Sequence, residues 1–255
     1  MHTRRVFGFT DIHWSMRDEH ALSIATAAHR WFKPDLTVVG GDLLDCSAFA
    51  RHPPSATDLD RQEDFAEHEL NPASEFLDDL QGVSPQLAVL AGNHDEWFER
   101  WMARGDRGAR ACGALRPSRY LMRGRKHATW YPFDTPSSSP RSILRLHPKL
   151  VVIHGWATNK YAAERHLELA APYSVIFHHT HRMEMRTGED LAGNTRVSMS
   201  AGCLCSKSPT YLHGTPANWV HGVWVAYLGK HDFTLYPIPI TQRGLVMPCG
   251  KEIRG

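Results

Sequence analysis

The stretch "QLAVLAGNHDEWFER", residues 86–100, decides how the chain is read. An apolar run, Leu87 to Leu90, breaks off into Gly-Asn-His-Asp and then resumes with helical spacing at Trp97, Phe98, Trp101 and Met102. A turn accounts for Gly92 and Asn93. It does not account for a His-Asp pair held between a buried strand and an amphipathic helix.

Other runs repeat the design. "RRVFGFT" (4–10), "DLTVVGGD" (35–42), "KLVVIHGW" (149–156) and "YSVIFHHTH" (173–181) are β-branched or aromatic and are expected as strands. Helices are expected over 18–32, over an acidic stretch to Leu70, from an Asn71 cap with Pro72 at the first position to about Leu80, over 96–104 and over 161–170. After Arg182 the texture changes to "TRVSMSAG", "WVHGVWVAYL" and "DFTLYPIPI", strands with short turns and no helices between. Such an order suits an α/β fold: a layered α/β/β/α sandwich of two packed sheets flanked by helices. No repeat or domain boundary is visible, so residues 1–255 are expected to form a single domain, with a basic insertion at about 100–149 containing a loop at 134–142.

Composition narrows the class. At 42% hydrophobic and 22% charged residues the chain is typical of globular proteins. No apolar run reaches the ~18 residues of a membrane span, and "VFGF" leads straight into polar sequence. A cytoplasmic protein without membrane contact is expected; oligomeric state stays open. Five cysteines without framework spacing suit reduced thiols; the C-x-C pair Cys203 and Cys205 could bind a metal, but on a strand both thiols share one face and are expected to be packed. Net charge is only +2, but residues 51–80 hold nine acidic and two basic side chains, and residues 100–149 hold twelve basic and two acidic ones. Seventeen histidines, well above ordinary usage, invite a metal.

Polar residues gather where the five strands end: Asp11 and His13; Asp42 and Asp45; Asn93, His94 and Asp95; His154; His179 and His181. In open α/β sheets that end is where ligands bind. Asp, Asn and His donors without thiolate suit Mn, Fe, Zn, Co or Ni. They are too many for one tetrahedral ion, and D-x-H or H-x-H on an extended strand aims both residues to one side.

In this order, "DIH", "GDLLD", "GNHD", "HG" and "HHTH" resemble the five blocks of the calcineurin-like metallophosphoesterases, over residues 11–181. The terminal strands fit that family's second sheet. The resemblance implies two divalent metal ions, Mn foremost. Asp11, His13 and His181 would hold the first, Asn93, His154 and His179 the second, and Asp42 would bridge both. It further implies that His94 faces the phosphoester and protonates the leaving oxygen, with Asp95 fixing its ring. One residue departs from the pattern: His178 stands where the family has glycine, a side chain able to crowd the metals or add a polar contact.

"GDLLDCS" and "GNHD" differ from the Gly-Asp-x-x-Asp-Arg-Gly and Gly-Asn-His-Glu blocks of the family's protein phosphatases. The phosphodiesterase and nuclease branches are nearer. A phosphoester in DNA, RNA or a nucleotide is the expected substrate, with Arg123, Arg125, Lys126 and His127 as phosphate contacts and Tyr120, Trp130, Tyr131 and Phe133 interleaved for stacking. The alternatives are a small-molecule phosphomonoesterase and a non-catalytic metal-site scaffold.

Overall fold

The structure is a computed structural model that describes residues 3–50, 56–105, 107–133, 142–208 and 217–255. In chain order the strands are β1 (Arg4–Phe9), β2 (Leu36–Val39), β3 (Leu87–Leu90), β4 (Ala128–Tyr131), β5 (Leu144–His147), β6 (Leu150–Val152), β7 (Ser174–Ile176), β8 (Met183–Glu189), β9 (Thr195–Ala201), β10 (Gly222–Leu228) and β11 (Phe233–Pro239). The helices are α1 (Glu19–Phe32), α2 (Ala56–Glu63), α3 (Asn71–Gln81), α4 (Asp95–Arg104), α5 (Arg107–Ala111), α6 (Pro117–Tyr120) and α7 (Ala162–Leu169).

Two sheets form. The first has the order β11-β10-β1-β2-β3-β4, with β1 to β4 parallel and β10 antiparallel to β1. The second has the order β5-β6-β7-β9-β8. Strand periodicity explains how they pack. Val6, Leu36, Val38, Ala88 and Leu90 point from the first sheet to meet Leu150, Val152, Ile176 and Met199 of the second. The alternate residues Phe7, Phe9, Val39, Leu87 and Val89 point the other way, under α1, α3 and α4. Val151, Val175 and Phe177 pack with Ala162 and Ala163 of α7 on the outer face of the second sheet. The expected four-layer sandwich is the observed one. Strands buried on both faces read as unbroken apolar runs, which is why β1 to β3 stood out.

Some expectations need correction. β10 and β11 add to β1 in the first sheet rather than completing the second. The second sheet is completed by β8, an edge strand whose only apolar side chains are Met183 and Met185, followed by polar sequence. Part of the expected 100–149 insertion is integral to the sheets, since β4 pairs with β3 and β5 with β6. Asn71 is no cap: Leu70 before it is already helical and closes a π turn, Ala66–Leu70. The Asn71 side chain accepts a hydrogen bond from the Tyr120 hydroxyl instead. The stretch 134–142 lies, but for Ser142, outside the described residues. No helix among the described residues is long and apolar enough to cross a membrane.

α1 begins as its sequence directs. Asp18 caps it by accepting from the Ala21 amide at 2.9 Å. It is joined to the sheet by a buried polar pair, His29 Nε2 to Thr37 Oγ1 at 2.7 Å, with the Phe7 and Phe9 rings each 5.4 Å from the imidazole. Burial first, and Arg30 second, lower His29 to about 4. The unfolded chain takes up this proton near pH 6.5, the folded chain only near 4. The neutral imidazole therefore contributes stability that is complete above pH 6.5 and is lost as pH falls toward 4, about 3 kcal/mol at most. Burial likewise lowers His166 to about 4 and His178 to about 3, adding to the same slope. The double variant His29→Leu/Thr37→Val, which removes both partners at once, is expected to lose less stability than wild type between pH 7 and pH 5 in urea titrations. An equal fall in both proteins would show that His29 is not part of the acid sensitivity.

Candidate metal centre

The five strand ends converge at one rim of the two sheets, but not through strand periodicity. β1 stops at Phe9 and β7 at Ile176, before the D-x-H and H-x-H residues. Asp11, His13, Asp42, His179 and His181 all have positive φ, between 28° and 72°. For non-glycine residues this region is uncommon and costs roughly 1–3 kcal/mol each. The left-handed turns, not the extended backbone, aim alternate side chains inward.

The donors gather closely. His13 Nε2 lies 3.2 Å from His181 Nε2 and 3.6 Å from Asp42 Oδ2. His181 Nε2 is 3.6 Å from Asp11 Oδ1. On the other side of Asp42, His154 Nε2 lies 3.2 Å from Asp42 Oδ2 and 3.2 Å from the Asn93 side-chain oxygen. Asp42, His154 and His179 form one cluster of metal-compatible donors, and Asp11, His13 and Asp42 another. All seven sequence-predicted ligands are thus brought together, with Asp42 in both groups.

Their remaining atoms are held so that Nε2 faces inward. His13 Nδ1 meets Asp45 Oδ1 at 3.2 Å, His154 Nδ1 donates to the Gly40 carbonyl at 3.0 Å, and His181 Nδ1 is 3.6 Å from Cys205 Sγ. Such outer partners fix tautomer and ring angle in metal sites. Cys203 and Cys205 are buried, but beyond the end of β9 rather than on a strand face, and Cys205 forms a further group of metal-compatible donors with His13 and His181.

A divalent ion fits this donor set. Asp11 is wholly buried and its Oδ2 has no hydrogen-bond partner among the described residues. Burial, with the neighbouring Asp42 charge adding to it, raises Asp11 to about 8 despite His154 nearby. Asp42 is held well below the usual carboxylate range: burial opposes this, but His154 and His94 outweigh it. Two facing imidazole nitrogens beside an unpartnered carboxylate oxygen are the arrangement a cation completes.

His94 stands beside the cluster. Its amide donates to Asp42 Oδ1 at 2.9 Å, and its ring crosses that of His13 at 4.4 Å. The residue that orients it is Asp45, not Asp95. His94 Nδ1 donates to the Asp45 carbonyl at 2.7 Å and lies 3.3 Å from its carboxylate. Asp95 turns away at the start of α4 and accepts from the amides of Gly92 and Leu44 at 2.8 and 2.9 Å, tying the third block to the second. Burial would lower His94, yet the Asp42 charge and the Asp45 hydrogen bond raise it to about 9. Gly92 is required for close approach and not for a left-handed turn, because a Cβ there would lie 2.0 Å from Asp42 Oδ1.

His178 does not crowd the centre. Its ring turns into the core between the sheets, donates to the Ile153 carbonyl at 3.0 Å and accepts from the Trp224 indole at 3.1 Å. Gly40 makes room: a Cβ there would lie 2.2 Å from His178 Nε2.

The expected phosphate contacts lie elsewhere. Arg125 is buried and bound to the Leu121 and Ser74 carbonyls and to Asp78, a structural tie. Lys126 and His127 line a groove with Arg4 and Gln86 at the start of the parallel strands. Arg123 is exposed in the turn before them. At about 3.3 Å per residue, this is more than one strand length from the rim. Trp130 and Tyr131 pack against the cores, and of the four aromatics only Phe133 reaches the centre, 5.6 Å from the His154 ring. Two aromatics not anticipated do so as well: Trp97 lies on His94 at 3.8 Å, and Trp219 meets His181 at 4.2 Å. Trp97 follows His94 by three residues on α4, a spacing that placed it on the same side.

The family model of the calcineurin-like phosphoesterases matches residues 4–190. The chain belongs to this family. Among solved structures it is similar to Vacuolar Protein Sorting 29 of Cryptosporidium parvum, at 11% identity and a TM-score of 0.52, covering 96% of this chain and 95% of that one. It is also similar to a zinc complex of Vps29 from Entamoeba histolytica (11%, TM-score 0.49, 94% and 95%) and to the nuclease MPE of Pseudomonas putida (10%, TM-score 0.36, 91% and 87%). At 11% identity the first of these likenesses shows the fold alone. No curated protein matches the sequence.

The two acidic residues near His94 should separate in experiment. Asp45→Asn is expected to weaken metal affinity and turnover by about 10–100-fold, the usual effect of losing an outer partner. Asp95→Asn, which leaves one backbone amide without its acceptor, is expected to cost about 1–3 kcal/mol of stability with a smaller effect on turnover. Metal titration calorimetry and thermal melts of both variants decide; the reverse pattern would return the orienting role to Asp95.

Proposed function

We propose that this protein is a binuclear metal-dependent phosphoester hydrolase and that its substrates are small phosphodiesters, nucleotides included. The observation that carries the reading is the convergence of seven Asp, Asn and His donors around Asp42, with His94 held beside them by Asp45. Asp11, His13 and His181 would hold one ion, Asn93, His154 and His179 the other, and Asp42 both. Divalent ions in such a pair polarise the phosphoryl oxygens and lower the pKa of water for in-line attack.

The chain's own residues do the rest. With Nδ1–H donated to Asp45, the other ring nitrogen of His94 is left to carry the proton for the leaving oxygen. The Asp42 and Asp45 charges favour that protonated ring. A pure scaffold would have no use for this pairing. The polynucleotide reading has lost its contacts, since Arg123, Arg125, Lys126 and His127 stand away from the centre; a small diester needs none of them.

Metal-stripped protein is expected to be inactive on bis-p-nitrophenyl phosphate and to regain activity with Mn, with bis-p-nitrophenyl phosphate cut faster than the monoester. His94→Ala should keep its metals and lose about 10²–10⁴-fold in turnover on alkyl esters, less on nitrophenyl esters, whose leaving groups need no proton. Asp42→Asn should lose both ions. Full activity in chelator would falsify the proposal, and a preference for the monoester would replace the diester reading with the phosphomonoesterase one.

A further inference from the structure

The His94 ring is tethered through Nδ1, which donates to the Asp45 carbonyl at 2.7 Å and has the Asp45 carboxylate at 3.3 Å. A tether at one nitrogen leaves the ring plane free to turn about that bond. Proton transfer is less tolerant, because the leaving oxygen has to meet the other nitrogen within about 2.6–3.2 Å. The plane of the ring therefore needs a second constraint.

Trp97 is placed to supply it. Its indole lies on the His94 ring with centroids 3.8 Å apart and planes 33° apart, and the His13 ring meets His94 at 4.4 Å and 87°. A ring in near-parallel contact with a larger one resists being turned edge-on to it. The indole acts as a fixed wall because the turn that carries it is anchored. The Trp97 amide donates to the His94 carbonyl at 2.9 Å, so both residues belong to one helical turn. Phe98, next in sequence, is buried and stacks on Phe65 at 5.2 Å. Asp95 ties the same turn to Gly92 and Leu44. Trp101, one turn further on, makes a useful contrast. Both tryptophans edge the core, but the Trp101 ring pairs with Phe49 and Phe98, at 5.2 and 5.6 Å, while the Trp97 ring pairs with His94.

We infer that Trp97 is a positioning residue for proton transfer: it holds the plane of the His94 imidazole so that Nε2 points at the leaving oxygen. The inference rests on the hydrolase reading, with His94 as the proton donor. In that step a water oxygen bonds to phosphorus, the bond from phosphorus to the ester oxygen breaks, and His94 gives its Nε2 proton to that oxygen. The attacking water returns a proton to the ring.

Two diesters of the same shape test it: diphenyl phosphate, whose leaving oxygen needs the proton, and bis-p-nitrophenyl phosphate, whose leaving oxygen does not. The measured quantity is the ratio of kcat/KM, diphenyl over bis-p-nitrophenyl, in Mn-loaded protein. Trp97→Leu keeps an apolar helix former and removes the flat face. It should lower the ratio about three- to tenfold, the scale of an aromatic pair, with metal affinity unchanged in calorimetry. Trp97→Phe should restore most of the ratio. Trp101→Leu should lower the melting temperature and leave the ratio at its wild-type value. In a His94→Ala background Trp97→Leu should change the ratio no further, since it acts through a ring that is gone. A readout without metal or turnover is proton NMR of the metal-free wild type, in which the indole should shift the His94 ring protons upfield. Unshifted His94 protons, equal losses on both diesters in Trp97→Leu, or a further fall in the His94→Ala background overturns the positioning role, while cleavage of bis-p-nitrophenyl phosphate upholds the hydrolase. A ratio untouched by His94→Ala itself removes the proton-donor role and that of Trp97 with it. No cleavage of either diester overturns the hydrolase as well.

Discussion

Two carboxylates, Asp11 and Asp42, are sealed between the ends of two sheets, and much of the molecule is arranged around the cost of keeping them there. A buried charge without a partner costs several kcal/mol. Asp42 meets that cost with His13 and His154, from two different strand ends, and with the His94 amide. Asp11 meets it only in part, through the His179 amide at 3.0 Å and His181, and is left with a bare oxygen. The asymmetry is the physical content of the metal centre. The fold supplies enough positive partners to hold the pocket together and leaves an imbalance that a cation corrects.

The same need explains the strained backbone. Short parallel strands deliver their last residues at one rim, but a strand's alternating side chains point to opposite faces, into either core. Five left-handed residues past the strand ends turn donors toward a common centre instead. Close approach follows: Gly92 brings the third block against Asp42, and Asp95 ties it to Leu44. The ties continue outward. Glu69, in a π turn of the kind often found at functional sites, holds the Asp45–Cys46 amides, and Asp45 in turn holds His13 and His94. An acidic helical segment far from the candidate ligands in sequence thereby sets the angle of His94.

What was legible in the sequence was whatever burial had written there. β1, β2 and β3 are apolar on both faces, and Asp11, His13, Asp42, Asn93, His154, His179 and His181 follow the strands because polar residues at buried strand ends have few other uses. The partners of β10 and β11 were not legible, since strand pairing is chosen across the whole chain. β8 was hidden because an exposed edge strand needs little apolar sequence, and only Met183 and Met185 mark it. Asp95 misled for a local reason: a residue adjacent in sequence at a helix start points elsewhere, while Asp45, 49 residues away, points back. Charge counting misled too. The basic stretch around Arg123 to His127 is real, but it lies at the wrong end of β4, and nothing in a charge balance says which end of a strand it decorates.

His178 shows how far the two sheets and the metal centre are one construction. Where the family has a glycine, the chain puts an imidazole immediately before His179. Its amide donates to the His154 carbonyl at 2.7 Å, so the residue joins the backbones that carry two candidate ligands of the same ion. A glycine could do that much. The ring adds a second tie, because Trp224 of β10 and the Ile153 carbonyl engage its two nitrogens across the inter-sheet core. That tie needs the neutral imidazole, which can donate from one nitrogen and accept at the other; the protonated ring could only donate. Burial, and then the neighbouring His154, lower His178 to about 3 and keep it in the neutral form. The spacing of His154 and His179 is thereby anchored to the opposite sheet, and the core that buries the ring also sets the geometry of the metal centre.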